Sequence, residues 1–169
     1  MIRIVDYDSA WPRRFGDEAA LLRAQLGALA LRIEHVGSTS VPGLGAKPVI
    51  DIQVSVASLQ PFRAFAAPLT RLGYTFISHG DFDKVYPFFQ KPPVWPSSHH
   101  VHVCEAGGEQ ERLHLAFRDA LRADAAVAAE YEALKRRLAA GSDGSTFAGR
   151  ERYSLAKTDF IRTVLARVL

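Results

Sequence analysis

The stretch from Arg32 to Val56, RIEHVGSTSVPGLGAKPVIDIQVSV, constrains the fold more than any other part of the chain. It holds two strand-like apolar runs, Ile33 to Val36 and Pro48 to Val56, separated by a loop of small and hydroxyl residues that begins at Gly37. A turn of this kind at a strand end can expose backbone N–H groups to an anion. The stretch therefore predicts two strands with a candidate anion site between them.

The second of these strands shows its two faces by alternation. The isoleucines and valines at even positions from Ile50 to Val56 face one way, and Asp51 and Gln53 face the other, because successive strand side chains alternate. A carboxylate among apolar neighbours is costly unless it is solvated, paired or metal-bound. Asp51 is therefore the first residue of the strand that needs an explanation.

A histidine-rich strand is predicted from His99 to Glu105. Alternation turns its valines toward the core and places His100, His102 and Cys104 together on the opposite face. If this strand neighbours the strand of Asp51, the two histidines and that carboxylate form a candidate ligand set for Zn²⁺, Mn²⁺ or Fe²⁺. The alternative is that they are hydrogen-bonded sheet residues that line a pocket without a metal. Cys104 is interpreted as a buried, inert thiol.

The rest of the chain alternates between helical and strand patterns. Apolar residues recur at steps of three and four from Trp11 to Leu29, which indicates a helix, and a second helix ends at Gly73 with a kink or break at Pro68. The other predicted elements are an edge strand at Met1 to Val5, paired strands at Tyr74 to Ser78 and Lys84 to Gln90, and helices at Glu109 to Arg122, Asp124 to Ala139 and Arg150 to Val168. These predict a mixed α+β fold, with a mixed sheet of about four or five strands packed with helices, and with long C-terminal helices.

Length, cysteine usage and charge limit the function classes. The 169 residues fit one domain over 1–169. Cys104 is the only cysteine, the chain starts with acids where a signal peptide needs an apolar core, and no apolar run approaches a membrane span. We therefore expect a cytoplasmic protein without a membrane segment. A net charge of +3 suits an anionic small molecule but gives no clustered basic stripe, so nucleic-acid binding is unsupported.

Several segments together carry a resemblance to a known family. The string EHVGSTSVPGLGAKPVIDIQV, followed by HHVHV, HLAFRDALR and a closing helix from Tyr153 to Ile161, resembles the GrpB family over nearly the whole chain. That family consists of small proteins with a nucleotidyltransferase-type fold and a poorly defined activity. In the superfamily, a Gly-Ser turn holds the phosphates of a nucleotide, and paired acids on the next strand bind a divalent metal that bridges those phosphates.

Carried onto this sequence, the resemblance implies a role for four positions. Gly37 and Ser38 would form the phosphate turn, and Asp51 would be the first metal acid. Gln53 departs from the pattern, because it stands where the second acid is expected and an amide brings no negative charge to a metal. The implied cofactor is a divalent cation, Mg²⁺ or Mn²⁺, with Zn²⁺ as the alternative that His100 and His102 would favour.

Further residues are candidates for binding an anionic ligand. Lys47 would add a positive charge beside the turn, although a solvated lysine before Pro48 explains it as well. His114 and Arg118 lie four residues apart on a predicted helix, so Arg118 either clamps a phosphate or carboxylate or pairs at the surface. Tyr153 and Lys157, also four apart, would reach the pocket edge from the last helix, and His35 is interpreted as structural. The predicted substrate-binding set is Gly37, Ser38, Thr39, Ser40, Lys47, His114 and Arg118.

Three functions compete at this point. The first is a nucleotidyltransferase-like protein that binds a nucleotide or another phosphorylated small molecule, with metal-dependent transfer at Asp51, Gln53 and His102. The second is a non-catalytic nucleotide-binding or coenzyme-binding module, for which Gln53 is the mark. The third is a transition-metal-dependent hydrolase built on His100, His102 and Asp51.

Overall fold

A single five-stranded mixed sheet organises the fold. In this computed structural model, which describes residues 2–169, the strands are β1 (Arg32–Val36), β2 (Ile50–Val56), β3 (Thr75–Ile77), β4 (Phe88–Lys91) and β5 (His99–Glu105). Their order is β1-β2-β5-β4-β3, with β2 and β5 parallel and the other neighbouring pairs antiparallel. The predicted mixed sheet of four or five strands is confirmed.

Six helices pack around this sheet. They are α1 (Trp11–Leu26), α2 (Arg63–Arg71), α3 (Glu109–Ala123), α4 (Ala125–Ala140), α5 (Phe147–Leu155) and α6 (Thr158–Val168). Short 3₁₀ turns occupy Gly27–Leu29, Ser38–Ser40 and Gly80–Lys84. Asp124 caps α4 by accepting hydrogen bonds from the backbone N–H groups of its first turn, and Thr146 caps α5 in the same way.

The two faces of the sheet have different surroundings. The even-numbered residues of β2 are fully buried in the larger core, together with Trp11 of α1 and Phe65 of α2. A smaller core joins the loop after β1 to α3, α4 and α6, around Leu121 and Tyr131. The alternation predicted for β2 is therefore confirmed, and Asp51 and Gln53 lie on the face opposite the larger core.

Three of the predicted elements differ from the structure or lie partly outside the described residues. Met1 lies outside the described residues, and the remainder of the predicted edge strand makes only an isolated bridge from Val5 to Ala46. The strand predicted at Lys84 begins at Phe88, because the preceding residues form a 3₁₀ turn and a proline that has no N–H for a ladder. Helix α2 continues through Pro68, which lies close enough to its end to remove one hydrogen bond without breaking it.

The last predicted helix also differs from the structure. The segment expected to be continuous from Arg150 to Val168 is two helices, α5 and α6, which are separated by a turn at Ala156 and Lys157. The apolar periodicity on both sides of the turn is helical, so periodicity alone does not reveal the break. The turn redirects the chain and places Lys157 at the start of α6.

A carboxylate at the start of α3 joins that helix to β1 and β2. Glu111 accepts hydrogen bonds from the Arg32 guanidinium at 2.6 and 2.7 Å, from the Ser55 hydroxyl at 2.5 Å and from the Gly107 N–H at 2.5 Å. The hydrogen bond with Arg32 is the main reason that the Glu111 pKa falls to about 2, and Ser55 and Gly107 lower it further. The network fixes the start of α3 against β1 and β2, and therefore the distance between this helix and the sheet.

We expect Glu111→Gln to destabilise the fold at neutral pH by about 1–3 kcal/mol, because an ionised acceptor of several hydrogen bonds is lost. The Glu111 pKa is lower in the folded chain than its ordinary value of 4.5, so its contribution is present above pH 4.5 and is lost as the pH falls toward 2. Denaturant unfolding between pH 2 and 7 measures this. The exposed Glu109→Gln on the same helix is the control. Equal stability of the two variants across that range would contradict the role assigned to Glu111.

Candidate functional site

A cavity of about 590 Å³ lies on the sheet face that carries Asp51. Its walls come from the turn after β1, from β2, β4 and β5, from the segment between β3 and β4, and from α3 to α6. Nine of the predicted site residues line the cavity, namely Gly37, Ser38, Thr39, Lys47, Asp51, His100, His102, His114 and Arg118. Ser40 and Gln53 are outside the lining.

Asp51 is held by the histidines of the neighbouring strand. The parallel register of β2 and β5 pairs Asp51 with His100 and Gln53 with His102. His100 Nδ1 lies 3.1 Å from Asp51 Oδ1, and His102 Nε2 lies 3.9 Å from the same oxygen. Burial opposes the ionisation of Asp51, but the hydrogen bonds and charges of the two histidines outweigh burial and lower its pKa. The carboxylate is therefore ionised at neutral pH.

Gln53 lies behind the cavity wall. Its side chain is fully buried, and its Oε1 accepts a hydrogen bond of 2.8 Å from the Tyr86 hydroxyl. The Tyr86 ring stacks between His102, at 4.8 Å, and His114, at 4.3 Å. The amide oxygen that would serve as a metal ligand is thus already used by Tyr86, whereas the buried amide nitrogen, Nε2, has no hydrogen-bond partner within residues 2–169.

The donor atoms around Asp51 are also largely engaged. The second ring nitrogen of His100, Nε2, lies 2.7 Å from the Ser97 hydroxyl, so both of its nitrogens have partners. Within residues 2–169, no three His, Cys, Asp or Glu side chains are arranged to hold a metal ion. A zinc site of Asp51, His100 and His102 would require His100 to give up one of its hydrogen bonds, so the residues do not fit a preformed site of that kind. The metal set stays a prediction.

The turn after β1 depends on a glycine. Gly37 has φ 68°, and a Cβ at this position would lie 2.9 Å from the Asp51 Cβ. The Ser40 hydroxyl donates back to the Gly37 carbonyl, and the Thr39 hydroxyl links His35 to the Val49 carbonyl. These two hydroxyls serve the turn itself, and Ser38, which also lines the cavity, forms a side-chain hydrogen bond with Tyr131.

The remaining predicted ligands have partners of their own. Arg118 donates to Glu34 at 2.8 Å, to Asp119 at 2.7 Å and to the His35 carbonyl at 3.1 Å, so most of its guanidinium is used within the protein. His114 donates from Nδ1 to the Gln110 carbonyl, and burial lowers its pKa to about 4. Burial likewise lowers the pKa of His35 to about 4, and His35 stacks on Phe15. Both histidines are therefore neutral at pH 7.

Three lysines from separate elements converge on the cavity around two tyrosine rings. The ammonium groups of Lys47 and Lys157 lie 5.2 and 4.5 Å from the Tyr153 ring centre. That of Lys135 lies 4.9 Å from the Tyr131 ring centre and donates to the Gly45 carbonyl. Of these, Lys135 was not recognised from the sequence; its position four residues after Tyr131, on an apolar helix face, is the signal that could have identified it.

The cavity has a strong excess of positive charge. Five of the seven Lys, Arg, Asp and Glu side chains in its wall are basic, namely Lys47, Arg118, Lys135, Arg150 and Lys157, against Asp51 and Glu151. Burial is the main cause that lowers the pKa of Lys135 and of Lys157 to about 7, and the neighbouring positive charges add to it. Without a ligand the amines of Lys135 and Lys157 are therefore only partly protonated at pH 7, and an anion would stabilise their charged form.

Comparison with known proteins identifies the family of this chain. The model of the GrpB protein family matches residues 1–167. UPF0157 protein YqkA of Bacillus subtilis (strain 168) is 35% identical over 163 residues, which are 96% of this chain and 46% of YqkA. A dephospho-CoA kinase of Mycolicibacterium paratuberculosis is 32% identical over 166 residues, which cover 85% of this chain and 41% of the kinase. This chain therefore spans less than half the length of either relative.

A solved structure has the same fold. GrpB from Enterococcus faecalis superposes with a TM-score of 0.84 and 34% identity, over 98% of this chain and 96% of the other. In residues 2–169 no helix is long and apolar enough to cross a membrane.

Alanine at position 37 should damage the site more than alanine at another glycine with positive φ. Gly43 has φ 80° and nothing near its missing Cβ, so Gly43→Ala should cost only backbone strain, about 1–3 kcal/mol. Gly37→Ala has the same kind of strain and also overlaps Asp51. We expect a larger loss of stability for Gly37→Ala in denaturant unfolding. Equal losses would show that Asp51 is not held in place.

Lys157→Met should change how stability depends on pH. The pKa of Lys157 is about 7 in the folded chain and 10.5 ordinarily, so the unfolded state binds more protons between these values. The unfavourable burial of its charge is therefore greatest below pH 7 and disappears as the pH rises toward 10.5. We expect Lys157→Met to be relatively most stabilising near pH 6 and to lose that advantage by at most about 1.4 kcal/mol per pH unit above pH 7.

Thermal unfolding of both proteins from pH 6 to 10 measures this difference. The exposed Lys84→Met is the matched control, because its amine is in solvent in either state. A difference between Lys157→Met and the wild type that is constant over this range would mean that Lys157 keeps an ordinary pKa.

Proposed function

The chain belongs to the GrpB family, and we propose that this member binds a nucleotide or another phosphorylated small molecule in the cavity beside Asp51. The observation that carries the proposal is the convergence of Lys47, Lys135 and Lys157 on a cavity whose wall has only two carboxylates. Buried charges of one sign are costly without a counter-charge. A phosphorylated ligand supplies that charge.

The phosphate groups are proposed to lie between the turn and the lysines. Ser38 offers a hydroxyl at the turn, and Lys47, Lys135 and Lys157 offer ammonium groups from the loop before β2, from α4 and from the turn between α5 and α6. Lysine acts as a point charge that can follow the position of a phosphate, whereas Arg118 is already fixed by Glu34 and Asp119. In this arrangement the protein binds and orients the ligand through side chains that are already in place.

Metal-dependent nucleotidyl transfer is the catalytic form of the proposal. Asp51 is the single carboxylate on the sheet side of the cavity, so a divalent cation held there would take its other ligands from phosphates and water. The chemistry that such a cation supplies is neutralisation of charge on the phosphates. The role of Asp51 itself is to present an ionised carboxylate that His100 and His102 hold in position.

A binding module without transfer is the second candidate, and the position of Gln53 favours it. Gln53 replaces the second acid, is fully buried and is hydrogen-bonded to Tyr86, so it offers no metal ligand to the cavity. The relative that is a dephospho-CoA kinase suggests coenzyme fragments as ligands to test beside nucleotides. A reducing, cytoplasmic location belongs to the same proposal, because Cys104 is the only cysteine of the sequence and cannot form an intramolecular disulfide.

We expect Lys135→Met and Lys157→Met each to weaken ligand binding about tenfold or more, because each removes a hydrogen bond between charged groups. Titration calorimetry with ATP and with dephospho-coenzyme A, in Mg²⁺ and in EDTA, measures this. Wild-type protein with ligand at about 100 times its dissociation constant should also gain roughly 2.7 kcal/mol of stability. Lys84→Met is the control, because Lys84 is exposed and does not line the cavity.

Each outcome decides between the two forms of the proposal. Binding that needs Mg²⁺ and is lost in Asp51→Asn supports the transferase, whereas binding that persists in EDTA supports the module. Equal affinity of the wild type and both lysine variants, or no binding of either ligand, would contradict the proposed site.

A further inference from the structure

The mouth of the cavity differs in chemistry from its lysine-rich floor. Phe82, Phe147 and Leu155 line the cavity and are 46%, 48% and 65% exposed. Apolar side chains with that exposure around the opening of a cationic cavity indicate a contact surface for a ligand. An inorganic phosphate would use the floor and leave this rim without a function.

Phe147 is held in place at the rim. Its ring lies 5.8 Å from the ring of His79, at an angle of 28°, and His79 belongs to the segment before Gly80–Lys84 on the other side of the opening. The stacked pair thus connects the first residue of α5 to the segment between β3 and β4. Nearly half of Phe147 remains exposed, although one side of its ring has a partner.

The same helix connects the rim to the floor. Phe147, Arg150 and Ser154 recur at steps of three and four on α5, and all of them line the cavity. The Arg150 guanidinium lies 4.7 Å from the Trp95 ring centre, and the Lys47 ammonium lies 5.9 Å from the same ring. Aromatic and cationic groups are therefore in contact along one wall, from the opening inward.

We propose that the ligand is a phosphorylated compound with a planar aromatic ring, as in a nucleotide, and that this ring stacks on Phe147 at the mouth while the phosphates lie on the lysine floor. The inference rests on the proposed function and narrows it to one ligand class. A flat π system fits because a ring can stack on an exposed phenylalanine, whereas a sugar phosphate presents hydroxyls that an apolar rim cannot satisfy.

The test compares a ligand that has the ring with one that has only the phosphates. Titration calorimetry is carried out with ATP and with inorganic tripolyphosphate on the wild type, on Phe147→Ala and on Leu31→Ala. Leu31 is 50% exposed and does not line the cavity, so the last variant removes exposed apolar area away from the rim. We expect ATP to bind the wild type about tenfold or more tighter than tripolyphosphate. We expect Phe147→Ala to remove most of that difference with tripolyphosphate unchanged, and Leu31→Ala to retain it.

The outcomes separate this inference from the proposed function. If tripolyphosphate and ATP bind the wild type equally, the floor is an anion site and the stacking inference is wrong. It is also wrong if Phe147→Ala weakens both ligands equally or neither, or if Leu31→Ala has the same effect as Phe147→Ala. If neither ligand binds, the proposed function and this inference both fail.

Discussion

The parallel pairing of β2 with β5 is the constraint on which the rest of the site depends. Its register places Asp51 beside His100 and Gln53 beside His102, and it aligns the valines of β5 with the even-numbered residues of β2 in the larger core. A slip by one residue would turn every one of these side chains to the other face. Burial of one face of the sheet thus positions the polar groups on the other, and the Glu111 network holds α3 at a defined distance from them.

The three lysines of the cavity share the same energetic cost, which is the loss of water around their ammonium groups. Lys135 is buried and Lys47 and Lys157 are half-buried, so each loses hydration that the carbonyl of Gly45 and the rings of Tyr131 and Tyr153 only partly replace. This cost lowers the pKa values of the three lysines, and a negative charge beside them would reduce it. Functional sites commonly combine such destabilised charges with a rigid frame.

Some of the site was predictable from local patterns. Alternation in IDIQVSV and HHVHVCE identified which residues face away from the core, and the small-residue turn at Gly37 marked the end of β1. These predictions succeed because the period of a strand is a property of the backbone alone. Whether Arg118 binds a ligand or pairs within the protein could not be predicted, because its partners Glu34 and the His35 carbonyl are distant in sequence.

The sequence by itself determined most element types, the core-facing sides of β2 and β5, and membership of a family, since these depend on local periodicity and on strings of residues. Only the tertiary structure decided which lysine side chains line the same cavity. Lys47 comes from the loop before β2, Lys135 from α4 and Lys157 from the turn between α5 and α6, and the folded chain brings all three to one cavity. It also decided that Gln53 is engaged by Tyr86, which a strand pattern cannot show. Long-range packing, rather than propensity, sets both arrangements.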